Sequence, residues 1–211
     1  DPLWSRGLGD VYKRQLLLRA DRKHRQIINE KGWVEHDPEE IYRNTLAAVR
    51  DILEKSGINA AKIRCLGISN QRETVLAWNR KTGKPVCNAV VWQCARAEKI
   101  CERIAAQGCA EEIRTATGLP LSPYFSAAKL AWILENAEGA GEAAEKGDLC
   151  CGTVDSWLVW KLTGGREFRT DYSNASRTQL FNITSLQWDE ALCGIFGVPL
   201  RLSLIHISEP T

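Results

Sequence analysis

With 211 residues, 44% of them hydrophobic and 26% charged, the chain has the composition of a globular protein with room for one sizeable core. A formal net charge of +2 argues against an electrostatic nucleic-acid binder, which carries a basic face or stripe. No apolar stretch approaches the roughly 18 residues of a membrane-spanning helix, and no signal-peptide pattern opens the chain.

Residues 1–15 (DPLWSRGLGDVYKRQ) have no usable periodicity, and residues 203–211 (SLIHISEPT) end the chain abruptly. Both resemble translated adapter or vector sequence joined to a genuine fragment, so neither end is expected to belong to the fold, which is placed in residues 16–202. Leu16-Leu17-Leu18 and Ile27-Ile28 are expected as two short strands. Asp37 then makes a good N-cap, Pro38 suits the first helical position and Glu40 completes a capping box. Ile41, Thr45, Ala48, Val49, Ile52 and Leu53 recur at helical spacing until Gly57 stops the helix.

The apolar run Ile63-Arg64-Cys65-Leu66-Gly67-Ile68 predicts a buried strand. It leads into Ser69-Asn70-Gln71-Arg72-Glu73-Thr74, and Val75 to Trp78 form a second β-like run. Arg72 and Glu73 therefore sit where one strand hands over to the next, a place where ligand-contacting side chains gather in open α/β sheets. Arg brings five fixed donors and an ionised carboxylate only accepts, so the pair suits a small polyol; a surface ion pair of little energetic weight is the plainer alternative.

A polar turn with Gly83 predicts a hairpin to the run Asn88 to Gln93. Helices are expected from about Ala95 to Ala106 and from Ala110 to Thr117, closed by Gly118. The following loop delivers Tyr124 and Phe125 to a helix with Ser126 as N-cap and Leu130, Ile133 and Leu134 on its apolar face. After a loose connector, Leu149-Cys150-Cys151 predicts a strand and Thr153 caps a helix from Val154 to Leu162 that Gly164 terminates. Residues 169–178 (RTDYSNASRT) are dense in hydroxyls and amides; a strand at residues 180–183 and a short helix from Trp188 to Ile195 close the pattern. Trp132, Trp157 and Trp160 are expected in the core. Helices alternating with buried strands predict an α/β fold.

The eight cysteines, Cys65, Cys87, Cys94, Cys101, Cys109, Cys150, Cys151 and Cys193, form no CxxC pair and no zinc spacing. A reducing, cytoplasmic setting is expected, with no metal site in this chain and no nucleic-acid or membrane partner.

Several stretches together resemble one family, the FGGY carbohydrate kinases. They are Gly32-Trp33-Val34-Glu35-His36-Asp37-Pro38, Ser69 to Thr74, Val91-Trp92-Gln93, Pro123-Tyr124-Phe125-Ser126, Gly152-Thr153-Val154-Asp155 and Asp171 to Thr178. Tyr124 to Asn136 also fits the family's first signature, with Lys129 and Trp132 in place. The matches run in the family's order and spacing over about residues 32–200. The Asn70-Gln71-Arg72-Glu73-Thr74 stretch resembles the branch that acts on glycerol. Xylulose kinases carry a Gly-Gln-Met-His type sequence there.

The resemblance implies an actin-like, ribonuclease-H-like domain facing a second such domain, with ATP, Mg²⁺ and the polyol meeting in the cleft of a phosphotransferase that forms homo-oligomers. It implies that Arg72 and Glu73 bond glycerol hydroxyls, Tyr124 adds a polar contact and Trp92 backs the carbon chain, although plain core packing would also account for Trp92 and Tyr124. The family's Asp-x-Gly-Thr-Thr phosphate loop has no counterpart here, and its catalytic aspartate lies beyond the Arg201 region. No catalytic or nucleotide-binding residue is therefore expected in this chain, which is expected to be inactive alone and poorly soluble. Asp155 and Asp171 are not promoted in the base's place. Another polyol or ketose kinase, or a non-catalytic binding module on an actin-like fold, are the alternatives.

Overall fold

The structure, a computed structural model, describes residues 5–10, 15–202 and 206–207. The expectation that the two ends are foreign to the fold rests partly on residues 1–4, 11–14, 203–205 and 208–211, which lie outside the described residues. The chain divides into two compact units, Asp1–Gln26 with His36–Ile68, and Ile27–Glu35 with Ser69–Thr211.

The first unit pairs β1 (Ser5–Asp10) with β2 (Gln15–Asp21) in an antiparallel ladder whose register shifts between Leu8 and Gly9. Helix α1 (Pro38–Ser56) packs Ala48 and Ile52 against Ala20 and Leu18. Its start and stop are local chemistry: an Asp37 carboxylate oxygen accepts from the Glu39 N–H at 2.8 Å, Pro38 opens the first turn, and Gly57 takes the left-handed C-cap at φ 63°. Glu40 does not close the expected capping box. Its Oε1 instead accepts from the Arg25 backbone N–H at 3.0 Å, because the preceding chain offers a donor in better reach.

Residues 63–68 do not form the expected strand. A single 3₁₀ turn, Ala60–Lys62, leads into an extended segment that no described strand pairs with, and Ile63 and Leu66 are 40% and 62% exposed. An apolar run becomes a strand only when a neighbouring backbone takes up its hydrogen bonds.

The second unit is built on a five-stranded sheet in the order β3-β4-β6-β5-β7. The strands are β3 (Ile27–Ile28), β4 (Val34–His36), β5 (Val75–Asn79), β6 (Ala89–Val90) and β7 (Leu149–Thr153). The central ladder is antiparallel, with Val75 opposite Val90 on one side and Val75 to Asn79 running against Thr153 to Leu149 on the other. Side chains of β5 alternate across the sheet. Val75 and Ala77 join the core formed with α2 (Glu98–Ala106), α3 (Ala110–Thr117) and α4 (Ser126–Asn136), through Ile100, Ile104, Ile113, Ala127 and Ile133.

On the opposite face, Trp78 meets Trp157 and Trp160 at ring-centroid distances of 5.2 and 6.0 Å. Those two indoles come from α6 (Val154–Leu162), which follows α5 (Ala140–Glu145) and β7. Helices thus cover both faces, and the α/β expectation holds. Trp157 is fully buried as expected, while Trp160 and Trp132 are half-buried.

The hairpin between β5 and β6 forms as expected, and its turn is tightly packed. Gly83 sits at φ 67°, and a Cβ there would lie 2.5 and 2.7 Å from the Trp160 ring. Gly83→Ala therefore combines a left-handed backbone with an overpacked indole, and is expected to cost about 2–4 kcal/mol. A lowered urea midpoint is the readout, and an unchanged midpoint would show that the turn and the ring yield freely.

Three boundaries differ from expectation in the second unit. Helix α2 begins at Glu98, after turns at residues 92–97. Helix α4 is preceded by Phe125 as cap residue, and the Ser126 hydroxyl is buried with no hydrogen-bond partner among the described residues. The Thr178 carbonyl does the capping instead, accepting from Ala127 N–H at 2.8 Å. Trp188 belongs to β10 (Gln187–Trp188), paired antiparallel with β9 (Phe181–Asn182). Helix α8 (Glu190–Phe196) starts one residue after Asp189, whose carboxylate accepts from Ala191 and Leu192 N–H at 3.0 and 3.2 Å. Between these elements lie β8 (Arg169–Thr170) and the short α7 (Tyr172–Ala175), and β11 (His206–Ile207) runs parallel to β8.

Candidate functional site

The turn before β5 carries Arg72 and Glu73, the loop before α4 carries Tyr124, and Trp92 follows β6. The turn is closed by Thr74 N–H donating to the Gln71 carbonyl at 3.1 Å. The Thr74 hydroxyl donates to Gln71 Oε1 at 2.8 Å and accepts from the Trp92 backbone N–H at 3.3 Å. One hydroxyl thus ties the Arg72-Glu73 turn to the backbone that presents Trp92. The two side chains of that turn part company: Arg72 is exposed, and Glu73 is only 5% exposed.

A buried carboxylate needs a cation or donors close by. Arg177 supplies both, its Nε donating to Glu73 Oε1 at 2.7 Å across 104 residues of sequence. Glu73 Oε2 has no hydrogen-bond partner among the described residues, so one acceptor oxygen remains for a ligand. The Arg177 guanidinium also lies 5.0 Å from the centre of the Phe125 ring. Phe125 packs edge-on to Tyr124 at 5.2 Å, and Tyr124 in turn meets Trp92 at 5.6 Å. Tyr124 is 37% exposed and Trp92 is half-buried, so both rings keep a free surface. The structure therefore gathers Glu73, Trp92 and Tyr124 into one linked set. It leaves Arg72 beside Glu73 with no ion pair among the described residues.

Beneath the aromatic loop lies Lys129, fully buried on α4. Its ammonium donates to three successive carbonyls, Pro123 at 2.9 Å, Phe125 at 2.7 Å, and Tyr124 between them. Burial pulls its pKa down to about 7, opposed mainly by the negative charge of Glu73. Desolvation also pushes the Cys101 thiol up to about 11. A lysine in the run Ser126-Ala127-Ala128-Lys129-Leu130-Ala131 stands out among small and apolar neighbours; that anomaly was the available signal for its burial. Arg177 gave none, because nothing local relates it to Glu73.

Two other polar clusters flank the site. Asn70 Nδ2 donates to Asn174 Oδ1 at 2.7 Å, and Asn174 donates to both oxygens of Asp171, from its N–H at 2.9 Å and its Nδ2 at 2.7 Å. Asp171 is thereby the cap of α7. Asp155, in the first turn of α6, accepts from the hydroxyls of Thr153 and Thr170, the latter at 2.6 Å. Burial pushes its carboxyl up from its ordinary value, against those two hydrogen bonds. Asp171 thus holds a helix start, while Asp155 ties the Thr153 and Thr170 hydroxyls together.

The Trp33-Val34-Glu35 stretch also has a local task. Arg96 pairs with Glu35 at 2.7 Å and lies 4.6 and 4.7 Å from the rings of Trp33 and Trp132. The Glu35 carboxylate accepts from Asn88 as well, at 2.8 Å. This buried guanidinium fastens β4 to α4, the helix that carries Lys129.

Among the described residues no group of three or more His, Cys, Asp or Glu side chains is placed to hold a metal ion. No helix there is long and apolar enough to cross a membrane.

Residues 9–209 match the N-terminal domain of the FGGY family of carbohydrate kinases. A glycerol kinase of Vibrio cholerae is 54% identical over 183 residues, which make up 87% of this chain and 36% of that protein. Glycerol kinase 1 of Thermotoga maritima is 54% identical over 184 residues, 87% of this chain and 37% of that protein. A crystal structure of Plasmodium falciparum glycerol kinase with ADP superposes with a TM-score of 0.88 at 35% identity, covering 94% of this chain and 39% of that one. Gluconate kinase from Lactobacillus acidophilus shares the fold at a TM-score of 0.84 and 23% identity. The fold is accordingly the actin-like, ribonuclease-H-like one of these sugar kinases. The chain spans little more than a third of the length of the curated relatives it matches.

Proposed function

The chain belongs to the FGGY family of carbohydrate kinases, and from that premise we propose that it is the glycerol-binding part of an ATP-dependent glycerol kinase, which makes glycerol 3-phosphate. The observation that carries this reading is the linked set of Glu73, Trp92 and Tyr124, with a buried carboxylate that keeps one oxygen unclaimed. Relatives named as glycerol kinases, 54% identical over most of the chain, support glycerol over other polyols.

Glycerol offers hydroxyls that both donate and accept on a carbon chain with a small apolar side. Glu73 Oε2 accepts from substrate hydroxyls, Arg72 donates to their oxygens, and the Tyr124 hydroxyl adds a polar contact. The Trp92 indole gives the C–H side of the molecule an apolar face. Such a site rejects an analogue without the hydroxyls, because its own buried polar groups would be left unpaired.

Phosphoryl transfer also needs the phosphates held, Mg²⁺ placed and the attacking hydroxyl oriented. Among the described residues no group of three or more His, Cys, Asp or Glu side chains is gathered, and no step through ATP or Mg²⁺ is assigned to them. We infer that those tasks fall to other parts of a longer protein, and the 211-residue chain alone is expected to be inactive.

Glycerol-dependent ATP consumption, measured for this chain and for the full-length gene product, tests both statements. Activity is expected only in the full-length protein. Turnover by the chain itself would reopen Asp155 and Asp171 as catalytic groups. A folded full-length protein that consumes no ATP with glycerol would overturn the glycerol kinase reading.

A further inference from the structure

We propose that Arg177 is a positioning residue of the polyol site: it fixes the Glu73 carboxylate and locks it in register with the loop that carries Tyr124. The inference rests on the glycerol-site reading above and goes beyond it, because it assigns a role to a residue that need not touch the substrate.

The geometry supports this from two directions. Toward Glu73, the Arg177 Nε hydrogen bond at 2.7 Å occupies Oε1 and leaves Oε2 as the oxygen open to a hydroxyl. Toward the aromatic loop, the guanidinium covers the Phe125 ring at 5.0 Å, next to Tyr124. Arg177 is the side chain that bonds the carboxylate and also covers a ring of the aromatic loop. Its side chain is 27% exposed, so the charge stays partly solvated while it grips the more deeply buried carboxylate.

The segment carrying Arg177 is itself pinned to that loop. The Thr178 carbonyl accepts from Ala127 N–H at 2.8 Å at the loop's far end, and the Gln179 side chain donates to the Pro120 carbonyl at 2.8 Å at its near end. Gln179 is fully buried and holds φ 64°, a left-handed conformation that a non-glycine residue adopts at an energetic cost. The surroundings over-determine that strained turn, and its effect is to hold Arg177 at a set distance from the rings. Plain fold stability does not require the cation to sit on Glu73 Oε1 in particular; presentation of Oε2 does.

The test is a steady-state comparison in the full-length kinase of wild type, Arg177→Met and Arg177→Lys, with glycerol and ATP varied separately. Arg177→Met is expected to raise the KM for glycerol by about 30-fold or more, as loss of one partner of a buried hydrogen-bonded pair does. The KM for ATP stays within about twofold and kcat within about threefold, since the nucleotide is bound elsewhere. Arg177→Lys recovers most of the loss, because an ammonium reaches Oε1 but covers the ring less well.

A glycerol KM for Arg177→Met within twofold of wild type would overturn the assignment. So would equal rises in both KM values with a lowered melting temperature, which is the signature of a structural role. If Arg177→Met does not fold, Arg177→Lys decides alone: a several-fold rise confined to glycerol supports the assignment, and no change overturns it. Wild-type turnover of a different polyol with glycerol ignored would sink the glycerol reading only, and the same comparison on that polyol still decides Arg177.

Discussion

Glu73→Gln in the full-length kinase is expected to lower kcat/KM for glycerol by about 100-fold or more, the largest functional loss of any change in this chain. The substitution keeps size and shape but replaces a charge-assisted acceptor by an amide. Arg177, which now donates to Oε1 at 2.7 Å, then faces a neutral partner, and the oxygen left for substrate becomes either a weaker acceptor or an N–H donor. Removing one member of a hydrogen-bonded charge pair in a largely buried place costs about 2–5 kcal/mol, which at 1.36 kcal/mol per decade of rate spans about one and a half to nearly four decades. The measurement is steady-state glycerol phosphorylation at matched protein folding, judged by circular dichroism. A loss of less than tenfold would mean that Glu73 is a structural ion-pair partner and that the polyol binds elsewhere.

Lys129→Met is expected to be the most damaging change to stability, by about 3–5 kcal/mol in urea unfolding. Methionine fills nearly the same volume, so little cavity is created, but three carbonyls of the loop at residues 123–125 lose their donor together. A pH series separates this residue from ordinary core. Burial lowers the Lys129 pKa to about 7 from 10.5, so between those values the unfolded chain holds a proton that the folded chain sheds. Stability then rises with pH across that window, by at most about 1.4 kcal/mol per unit, and falls back as pH drops toward 7. The three accepting carbonyls favour the ammonium and keep the slope below that ceiling. In Lys129→Met the rise disappears. Parallel curves for wild type and variant from pH 7 to 10 would show that the ammonium stays charged throughout, held by its carbonyls.

What the sequence made legible was local. The start and stop of α1 lie within residues 37–57, where Asp37, Pro38 and Gly57 each act on their nearest neighbours. The Arg72-Glu73 pair and the aromatic pair at Tyr124 and Phe125 declared themselves by adjacency. Relations across the chain were not legible. Residues 63–68 have a strand's composition, but a strand exists through its partner, and none of the described strands pairs with them. Ser126 has the right chemistry for an N-cap, yet the carbonyl of Thr178 takes the position first. Arg177 stood among hydroxyls and amides as one more polar residue, and only the folded chain brings it to Glu73. Glu40 repeats the lesson at close range, its carboxylate drawn to Arg25 rather than to its own helix.

The indoles behind the sheet have an optical consequence. Trp157 and Trp160 lie 6.0 Å apart with their planes 7° from parallel, and Trp78 is within 6.0 Å of both. At such separations the transition dipoles couple, and light absorbed by one ring is shared with the others before it is emitted. Three of the chain's eight tryptophans are thus expected to behave as a coupled group, with Trp78 and Trp157 buried and Trp160 half-buried on the face of the sheet away from α4. Trp92, the indole beside Tyr124, contributes a separate signal. Coupled indoles also add bands to the ultraviolet dichroism that mimic missing helix. With the cluster replaced by phenylalanine, the remaining fluorescence is expected to report more directly on Trp92 and on a ligand beside it.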